Sequence, residues 1–487
     1  MARRALLRIS PSRSRFAVSV VLDLQTYINE RSDNVLRIAQ EMSVEYELTA
    51  LQHLLDEKGR HPILLGEAMR LSDGEKSEFP VVTNLTADRS LVAEALDVED
   101  HRTFAQQYAK RSVDGVAPVN APARVQESVL EGDDCDLTRL PALRQHALDP
   151  GPYLTAAHAT TYDPDTGVDN TAIQRCWIKS KKRMSYYPYP NSHNAQNMRK
   201  FWARGEACPI AFWIGHHPRV LIGTQAKLSY PQSHWAAAGG VLGEPLKLCP
   251  TIEHGEKIRV PADAEIVIEG YVPPNALAPD GPFGEYTGYS GAQILAPECE
   301  VLRLTHRRGA IYHDYGSGLT DMLVPDNMVM EARLYAMIKP IAPSLTLVHV
   351  PASGRRFHAY LQFENPLEGE ARDALVAALS YRRVKTVIAV DEDVDIFNED
   401  QILWALATRV QWRRDAIMAD GLTTSKLDPS LAGDANTASK MGIDATFPPA
   451  RGARRKPVPP NARPPAEVTG KMRAFLKRYE AGAEGRT

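Results

Sequence analysis

Three short segments of the sequence carry side chains that could do chemistry. In the first, residues 169–175 (DNTAIQR), Arg175 ends a short run that is typical of a β-strand. Alternate residues of a strand face one side, so Ile173 and Arg175 share a face. A partly buried arginine usually meets an anion, because its guanidinium offers a planar fork to carboxylate or phosphate. From this segment alone, a surface arginine on an edge strand is the more frequent alternative.

The second segment is Asn191-Ser192-His193, which follows a stretch rich in tyrosine and proline. A histidine among polar loop residues can be a metal ligand, but a lone histidine is more often a hydrogen-bonded surface residue. His193 is therefore a candidate ligand only if other donors lie beside it.

The third segment is residues 278–289 (APDGPFGEYTGY), where Asp280 and Glu285 flank a Gly-Pro-Phe-Gly turn. The two glycines allow backbone geometry that other residues resist. Two acids held near one arginine have different pKa values, which suits one of them to donate a proton. The alternative is a solvated turn, although its aromatic residues would normally pack against something.

Composition excludes several classes of protein. The chain has 487 residues, enough for roughly two to four domains. Its net charge of −3 argues against binding nucleic acid or an anionic membrane through bulk charge, and it has no apolar run of ~18 residues. Five widely spaced cysteines without a CxxC pair argue against a zinc ribbon or a disulfide framework and favour a reducing cytoplasm. The P-loop, GxGxxG, HExxH and GxSxG motifs are absent.

The residue patterns predict several units along the chain. Residues 1–23 form a basic leader. Residues 24–125 form an α/β domain, with helical patterns over 24–57 and 89–110 and short strands at 62–65 and 81–83. Residues 126–322 contain short β-rich runs punctuated by Pro, Gly and Asn, typical of an antiparallel barrel or sandwich, with one helix near 195–203.

The remaining chain alternates between helix and strand patterns. Residues 323–446 therefore form a second α/β domain, and residues 447–487 form a proline-rich linker and a terminal helix. Met472, Phe475, Leu476 and Tyr479 fall on one apolar stripe of that helix. The stripe needs a partner surface, either on its own chain or on a neighbouring subunit.

Taken together and in this order, the three segments resemble the UbiD family of reversible decarboxylases, which use prenylated FMN. The resemblance runs from about Val44 to Thr446 and depends on three elements that are jointly specific: N-x-x-x-x-R, Ser-His and the GPFGE turn. It implies an α+β multidomain fold with an N-terminal α/β domain, a central split β-barrel of the flavin-reductase type and a C-terminal α/β oligomerisation domain.

The resemblance also implies an activity and its partners. The expected reaction is the non-oxidative, reversible decarboxylation of an aromatic, heteroaromatic or α,β-unsaturated carboxylic acid, with CO₂ as the other product. A flavin prenyltransferase would supply the cofactor. The protein would be a cytoplasmic homo-oligomer, a dimer or larger, without a nucleic-acid or membrane partner.

Residue by residue, the resemblance assigns roles to the three segments. Arg175 would orient the substrate carboxylate, Glu285 would donate the proton, and Asp280 would hold Arg175 and tune Glu285. The positions that match cofactor-binding residues are Asn170, Ile173, Gln174, Arg175, Ser192, His193 and Lys440. The metal ligands would be Asn170, His193 and His234, with Mn²⁺ expected and K⁺ as a further ion.

Two positions depart from the family pattern. The family usually has Glu where this chain has Asp280, which is one methylene shorter. The third metal ligand is a Glu in most relatives, whereas this chain places His234 there and offers Glu244 as a fallback. A histidine removes one negative charge and makes the ligand set softer.

These departures leave two alternatives to the decarboxylase. The same fold could bind ordinary FMN as a non-catalytic or assembly subunit. A metal-dependent hydrolase could instead use Asn170, His193, His234 and Glu285. The substrate, the direction of the reaction in the cell and the oligomer size do not follow from the sequence.

Overall fold

The N-terminal domain packs four helices around a small mixed sheet in the computed structural model, which describes residues 22–433, 435–447 and 462–484. Its helices are α1 (Leu24–Glu30), α2 (Glu47–Asp56), α3 (Arg89–Ala95) and α4 (Phe104–Arg111). Its strands are β1 (Val35–Ile38), β2 (Met42–Ser43), β3 (Ile63–Gly66), β4 (Met69–Arg70) and β5 (Val81–Thr83). The short strands predicted at 62–65 and 81–83 are thus present.

Both long helical patterns predicted in this domain are wrong as single helices. Within 24–57, the segment Val35–Ile38 pairs in parallel with β3, so sheet formation overrides the helical pattern. Within 89–110, the chain leaves the helix after Ala95, and Asp97 has a φ of 53°. A left-handed residue cannot continue an α-helix, so two shorter helices form.

Among the described residues, the central domain has sixteen strands, ten of which form one curled sheet. Its strands are β6 (Val119–Asn120), β7 (Ser128–Glu131), β8 (Tyr153–Leu154), β9 (His158–Tyr162), β10 (Asp169–Ile173), β11 (Cys176–Ser180), β12 (Arg183–Ser185), β13 (Cys208–Ile214), β14 (Lys247–Thr251), β15 (Gly255–Pro261), β16 (Ile266–Val272), β17 (Leu277–Asp280), β18 (Phe283–Gly284), β19 (Ser290–Gly291), β20 (Ile294–His306) and β21 (Tyr312–His313). Its helices are α5 (His193–Ala203), α6 (Pro218–Gly223) and α7 (His234–Leu242).

The long strand β20 organises this sheet, because β7, β12, β16 and β17 all pair with it. The inner face buries Phe212, Ile268 and Val301 completely. Each such side chain contributes about 1.5–3 kcal/mol of hydrophobic stabilisation. Strand β21 pairs with β5 rather than with the barrel, and this joins the central domain to the N-terminal sheet.

The C-terminal domain packs helices on a five-stranded mixed sheet, in which the third strand along the chain is central and the last two are antiparallel to each other. Its elements are α8 (Thr320–Ile338), β22 (Leu345–His349), β23 (His358–Phe363), α9 (Glu370–Leu379), β24 (Thr386–Asp391), α10 (Glu399–Arg409), α11 (Trp412–Asp415), β25 (Ala416–Thr423) and β26 (Thr437–Asp444). The α+β architecture with a central half-barrel is therefore confirmed.

A last helix, α12 (Ala466–Glu484), follows the proline-rich segment. Its predicted stripe is present, and Phe475 and Tyr479 are 56% and 68% exposed. The leader predicted for residues 1–23 lies outside the described residues except for its last two, as does most of the linker. Across the described ranges, no helix is both long and apolar enough to cross a membrane.

Candidate active site

The first and third segments meet in a buried arginine–carboxylate cluster. Arg175 lies in the two-residue link between β10 and β11, and Asp280 ends β17. The arginine donates from Nε (3.0 Å) and Nη2 (2.6 Å) to Asp280 Oδ2, and from Nη1 to Glu285 Oε1. Its side chain is 12% exposed, so the interpretation as a surface arginine on an edge strand is wrong.

Neighbouring side chains fix the Asp280 carboxylate. The hydroxyl of Ser185 donates to Asp280 Oδ1 at 2.6 Å, so both carboxylate oxygens accept hydrogen bonds. The ring centroids of Tyr187 and Phe283 each lie 5.0 Å from Cζ of the Arg175 guanidinium. Aromatic faces attract a cation and exclude water from it. The guanidinium is therefore held in one orientation before any ligand arrives.

A second set of contacts holds the turn that carries Glu285. The backbone N–H of Gly284 donates to Asp149 Oδ1 (3.3 Å), and Ser317 Oγ donates to the Gly284 carbonyl. Gln145 Oε1 in turn accepts from the Ser317 backbone N–H at 2.8 Å. Sequence reasoning missed these residues, because they lie far from Glu285 along the chain and carry no motif.

Burial sets the protonation of this cluster. Burial raises the pKa of Glu285, and the charge of Asp280 adds to the rise, while Arg175 opposes both. Burial alone would lower the pKa of Arg175, but the carboxylates of Glu285 and Asp280 raise it. Glu285 can therefore hold a proton beside a guanidinium that stays charged, which is the state a general acid requires.

The second candidate group forms where β10 meets the N-termini of α5 and α7. Asp169 Oδ1 accepts from Ser233 Oγ, and its Oδ2 accepts from the backbone N–H groups of His234 (2.7 Å) and Trp235 (3.0 Å). An acid at a helix N-terminus satisfies the exposed N–H groups and the helix dipole. Asp169, to which the sequence assigned no role, thus fixes the start of α7 next to Asn170.

Asn170, His193 and His234 supply the donors of this group. Asn170 Nδ2 donates to Asn194 Oδ1 at 2.5 Å, which orients the Asn170 amide. The rings of His193 and His234 lie 5.8 Å apart between centroids. Two imidazoles whose nitrogens each lie about 2.1 Å from one cation have ring centroids roughly 4.5–6.5 Å apart, depending on the angle between them. The arrangement is thus compatible with one shared cation.

The chemistry of His234 also suits a ligand. His234 Nδ1 is buried and has no hydrogen-bond partner among the described residues. Burial, followed by the charges of His193 and Lys227, lowers the pKa of His234 to about 3, so the ring is neutral. Within those residues no three His, Cys, Asp or Glu side chains form a metal cluster, so a site here would depend on the Asn170 amide.

The structure places the remaining predicted residues differently. Glu244 lies beyond the C-terminal end of α7, which rises about 12 Å from His234 to Leu242, so Glu244 is at the opposite end of the helix from the Asn170–His193–His234 group. Lys440 Nζ donates to the carbonyls of Leu379 (3.0 Å), Tyr381 (3.0 Å) and Arg382 (3.4 Å). These contacts tie Lys440 to the turn after α9 rather than to the other predicted residues.

The last three predicted residues are neighbours of the two groups along the chain. Ile173 and Gln174 are half-buried in the link from Asn170 to Arg175. Ser192 caps α5 by accepting from the Ala195 backbone N–H at 3.3 Å, which fixes His193 at the first helical position. Asn170 and Arg175 are five residues apart, so their Cα atoms are separated by at most ~17 Å, the length of a fully extended chain.

Comparison with known proteins adds independent findings. Models of the 3-octaprenyl-4-hydroxybenzoate carboxy-lyase N-terminal domain, Rift-related domain and C-terminal domain match residues 28–110, 117–319 and 326–445. A relative, anhydromevalonate phosphate decarboxylase of Methanothermobacter thermautotrophicus, is 27% identical over 427 residues, which cover 87% of this chain and 97% of the relative.

Solved structures of enzymes also resemble this chain over most of its length. The UbiD-class enzyme HmfF from Pelotomaculum thermopropionicum, in complex with FMN, superposes with a TM-score of 0.81 at 32% identity, covering 90% of this chain and 97% of HmfF. Vanillic acid decarboxylase of Sedimentibacter hydroxybenzoicus, in its open form, superposes with a TM-score of 0.81 at 25% identity, covering 93% and 99% of the two chains.

Proposed function

This chain belongs to the UbiD family of carboxy-lyases, and from that premise we propose that it decarboxylates a conjugated carboxylic acid with prenylated FMN. The substrate class is an aromatic, heteroaromatic or α,β-unsaturated acid. The observation that carries the proposal is the buried contact of Arg175 with both Asp280 and Glu285. It places the Arg175 guanidinium, which would bind the substrate carboxylate, directly beside Glu285, which would donate the proton.

The donor set supports a flavin phosphate held through a divalent cation. Asn170, His193 and His234 would hold that cation, for which Mn²⁺ is proposed, with K⁺ as a further ion. The orphaned, neutral His234 Nδ1 fits this role. Ile173, Gln174, Arg175 and Ser192 would contact the cofactor. Lys440 stays a prediction as a phosphate ligand, because it would have to release the carbonyls that it now holds.

The reaction needs an electron sink, because loss of CO₂ from an sp² carbon leaves an anion that side chains cannot delocalise; prenylated FMN supplies that sink when bound. Arg175 presents its planar fork to the substrate carboxylate and orients it. Asp280 keeps the guanidinium in place, since two of the arginine N–H groups donate to it. Glu285 donates its proton to the carbon that loses the carboxyl group.

The two alternatives fit the structure less well. For a metal-dependent hydrolase, Glu285 would have to join His193 and His234, but its side chain contacts Arg175. For an inert FMN-binding subunit, the exchange of the family's Glu for Asp280 would have to break the cluster, but the shorter side chain still reaches Arg175 at 2.6 Å.

Further parts of the proposal rest on the family alone. We propose that a flavin prenyltransferase supplies the cofactor, that the protein works as a cytoplasmic homo-oligomer, and that the domains divide within a few residues of the boundaries derived from the sequence. The exposed stripe of α12 supports a subunit contact, because none of the described residues covers it.

In the deciding experiment, the protein is produced in cells that make prenylated FMN, so that it can bind this cofactor before purification. Mass spectrometry identifies the released cofactor, and a panel of aromatic, heteroaromatic and α,β-unsaturated acids is assayed for CO₂. A prenylated flavin together with CO₂ release supports the proposal. Bound flavin without CO₂ from any acid would favour the inert subunit, and metal-dependent hydrolysis without flavin would favour the hydrolase.

A further inference from the structure

Three cationic side chains converge on Asp326 of α8. Lys227 Nζ lies 2.6 Å from Asp326 Oδ1, while Arg356 Nη1 (3.0 Å) and Arg383 Nη1 (2.5 Å) lie against Oδ2. The cations come from three segments, namely the loop after α6, the β22–β23 loop and the link before β24. We call these four residues the Asp326 cluster.

The charges of this cluster do not balance. Three cations and one carboxylate leave an excess of two positive charges, and the described residues add no further acid in direct contact with it. The side chains are largely sheltered, with Arg356 8% and Lys227 28% exposed. An unpaired charge that is largely withdrawn from water is destabilising. An anion bound at the cluster would offset that cost.

The pKa values of the Asp326 cluster reflect this excess of positive charge. Burial lowers the pKa of Lys227 and of Arg356, although Asp326 opposes it in both cases. The surrounding cations in turn hold the pKa of Asp326 well below its usual range, against the effect of burial. Asp326 therefore stays ionised and still leaves the cations short of negative charge.

The cluster lies beside the acid turn of the active site. The guanidinium of Arg356 lies 4.8 Å from the ring of Tyr286, which directly follows Glu285. The charge of Arg356 also acts on Glu285 and lowers its pKa. Tyr286 is fixed there because its hydroxyl donates to Ser425 Oγ at 2.7 Å. A substrate whose carboxylate is held by Arg175 would thus have a second cationic group nearby.

We propose that Lys227, Arg356 and Arg383 bind a second anionic group of the substrate, a carboxylate or a phosphate, in addition to the carboxylate that is lost as CO₂. This inference rests on the proposed function and narrows its substrate class to acids that carry two anionic groups. Asp326 serves to hold the three cations together while leaving their excess charge for the ligand.

A purely structural ion-pair network is the competing explanation. The pair of Arg102 with Asp395, at 2.6 Å, shows such a contact between the N-terminal and C-terminal domains, with one cation for one acid. Loss of Arg102 would leave Asp395 without its cation, whereas loss of Lys227 would leave Arg356 and Arg383 to neutralise Asp326. Lys227→Met should therefore weaken the binding of an anion without a matching loss of stability, whereas a structural network predicts the reverse.

The test uses the loaded full-length protein and matched substrate pairs. Cinnamic acid is compared with 4-carboxycinnamic acid, and hexa-2,4-dienoic acid with hexa-2,4-dienedioic acid. The ratio of kcat/KM for the doubly charged acid over its partner should fall about tenfold or more in Lys227→Met, since one charge-assisted contact is lost. Its Tm should stay within a few degrees of the wild type. Arg102→Met, the control, should keep the wild-type ratio.

Three results would overturn the proposal. The first is an unchanged substrate ratio in Lys227→Met. The second is a large drop in Tm with no effect on ligands, which would make the cluster a structural network. The third comes from titrating the cofactor-free protein: weaker FMN binding with unchanged riboflavin binding would mean that the cluster holds the cofactor phosphate.

The same proteins separate this proposal from the proposed function. If no acid released CO₂, the proposed function would fail, but binding could still be measured by ligand-induced shifts in Tm with 4-carboxycinnamic acid, cinnamic acid and inorganic phosphate. Preferential loss of the doubly charged ligands in Lys227→Met would still support the cluster as an anion site. Equal shifts in both proteins would overturn it.

Discussion

Replacing Asp280 by Asn tests which roles Asp280 and Glu285 have beside Arg175 in the active site. Asp280 accepts two N–H groups of Arg175 through Oδ2 and the hydroxyl of Ser185 through Oδ1. Its charge also raises the pKa of Glu285. Asp280→Asn removes the charge at nearly constant volume. Arg175 would then be left with Glu285 as its carboxylate partner, and Glu285 would ionise more readily.

The magnitude follows from the contacts that are lost. A hydrogen bond to a charged group contributes about 1.5–3 kcal/mol, so the two bonds that Arg175 donates to Asp280 contribute about 3–6 kcal/mol to holding the guanidinium where it would meet the substrate carboxylate. Glu285 still neutralises Arg175, so we take the lower end, about 3 kcal/mol. At ~1.4 kcal/mol per factor of ten, kcat/KM should fall on the order of 100-fold.

The pH dependence gives the sharper readout. Glu285 must be protonated to act, so the rate falls as the pH rises through its pKa, which lies above the ordinary value of 4.5. Without the charge of Asp280 that pKa decreases, and the basic limb of the kcat profile should move to lower pH.

The control is Ser185→Ala, which removes one hydrogen bond but keeps the Asp280 charge. Its loss in kcat/KM should be about tenfold or less, and its basic limb should move less than that of Asp280→Asn. The reasoning would be refuted if the basic limb of the kcat–pH profile stayed in place or moved to higher pH in Asp280→Asn at equal flavin content.

Three other variants test the parts around the cluster. His234→Ala should lower Mn²⁺ affinity at least about tenfold in a metal titration, whereas Glu244→Ala should match the wild type, since Glu244 lies at the far end of α7; metal loss in Glu244→Ala alone would contradict the ligand assignment. Ser317→Ala frees the Gly284 carbonyl and should reduce kcat about tenfold with a stability loss of about 1 kcal/mol; an unchanged kcat would show that the turn does not need this bond. Gly281→Ala should lower Tm more than the control Gly309→Ala. Both glycines have a positive φ, but only at Gly281 does an added Cβ meet a close neighbour, the Ala292 carbonyl oxygen at 3.0 Å. Equal losses in Tm would rule out the clash.

The sequence predicted the fold better than its local elements. The alternation of β-rich and helix-rich regions gave the α+β architecture, because that pattern reflects which faces are buried. The helix over 24–57 was wrong, since the pairing of Val35–Ile38 with β3 decides its structure, and no local pattern encodes that partner. Strand β21 likewise joins the N-terminal sheet, although its sequence matches the barrel strands.

The same contrast holds for the candidate site. Arg175, Asp280 and Glu285 lie in short motifs, so the sequence could point to them, and the structure brings them together. The residues that position them, such as Ser185 and Ser317, have no recognisable pattern. Likewise the Asp326 cluster joins side chains from distant segments, so only the folded chain shows that their charges fail to balance.

The most direct test of the account measures CO₂ release and deuterium incorporation in D₂O by wild type and Glu285→Gln loaded to the same content of prenylated flavin. Wild type should release CO₂ and place one deuterium on the carbon that lost the carboxyl group. Glu285→Gln should bind flavin normally and form no deuterated product. Formation of deuterated product by Glu285→Gln at the wild-type rate would contradict the role of Glu285 and with it the proposed mechanism.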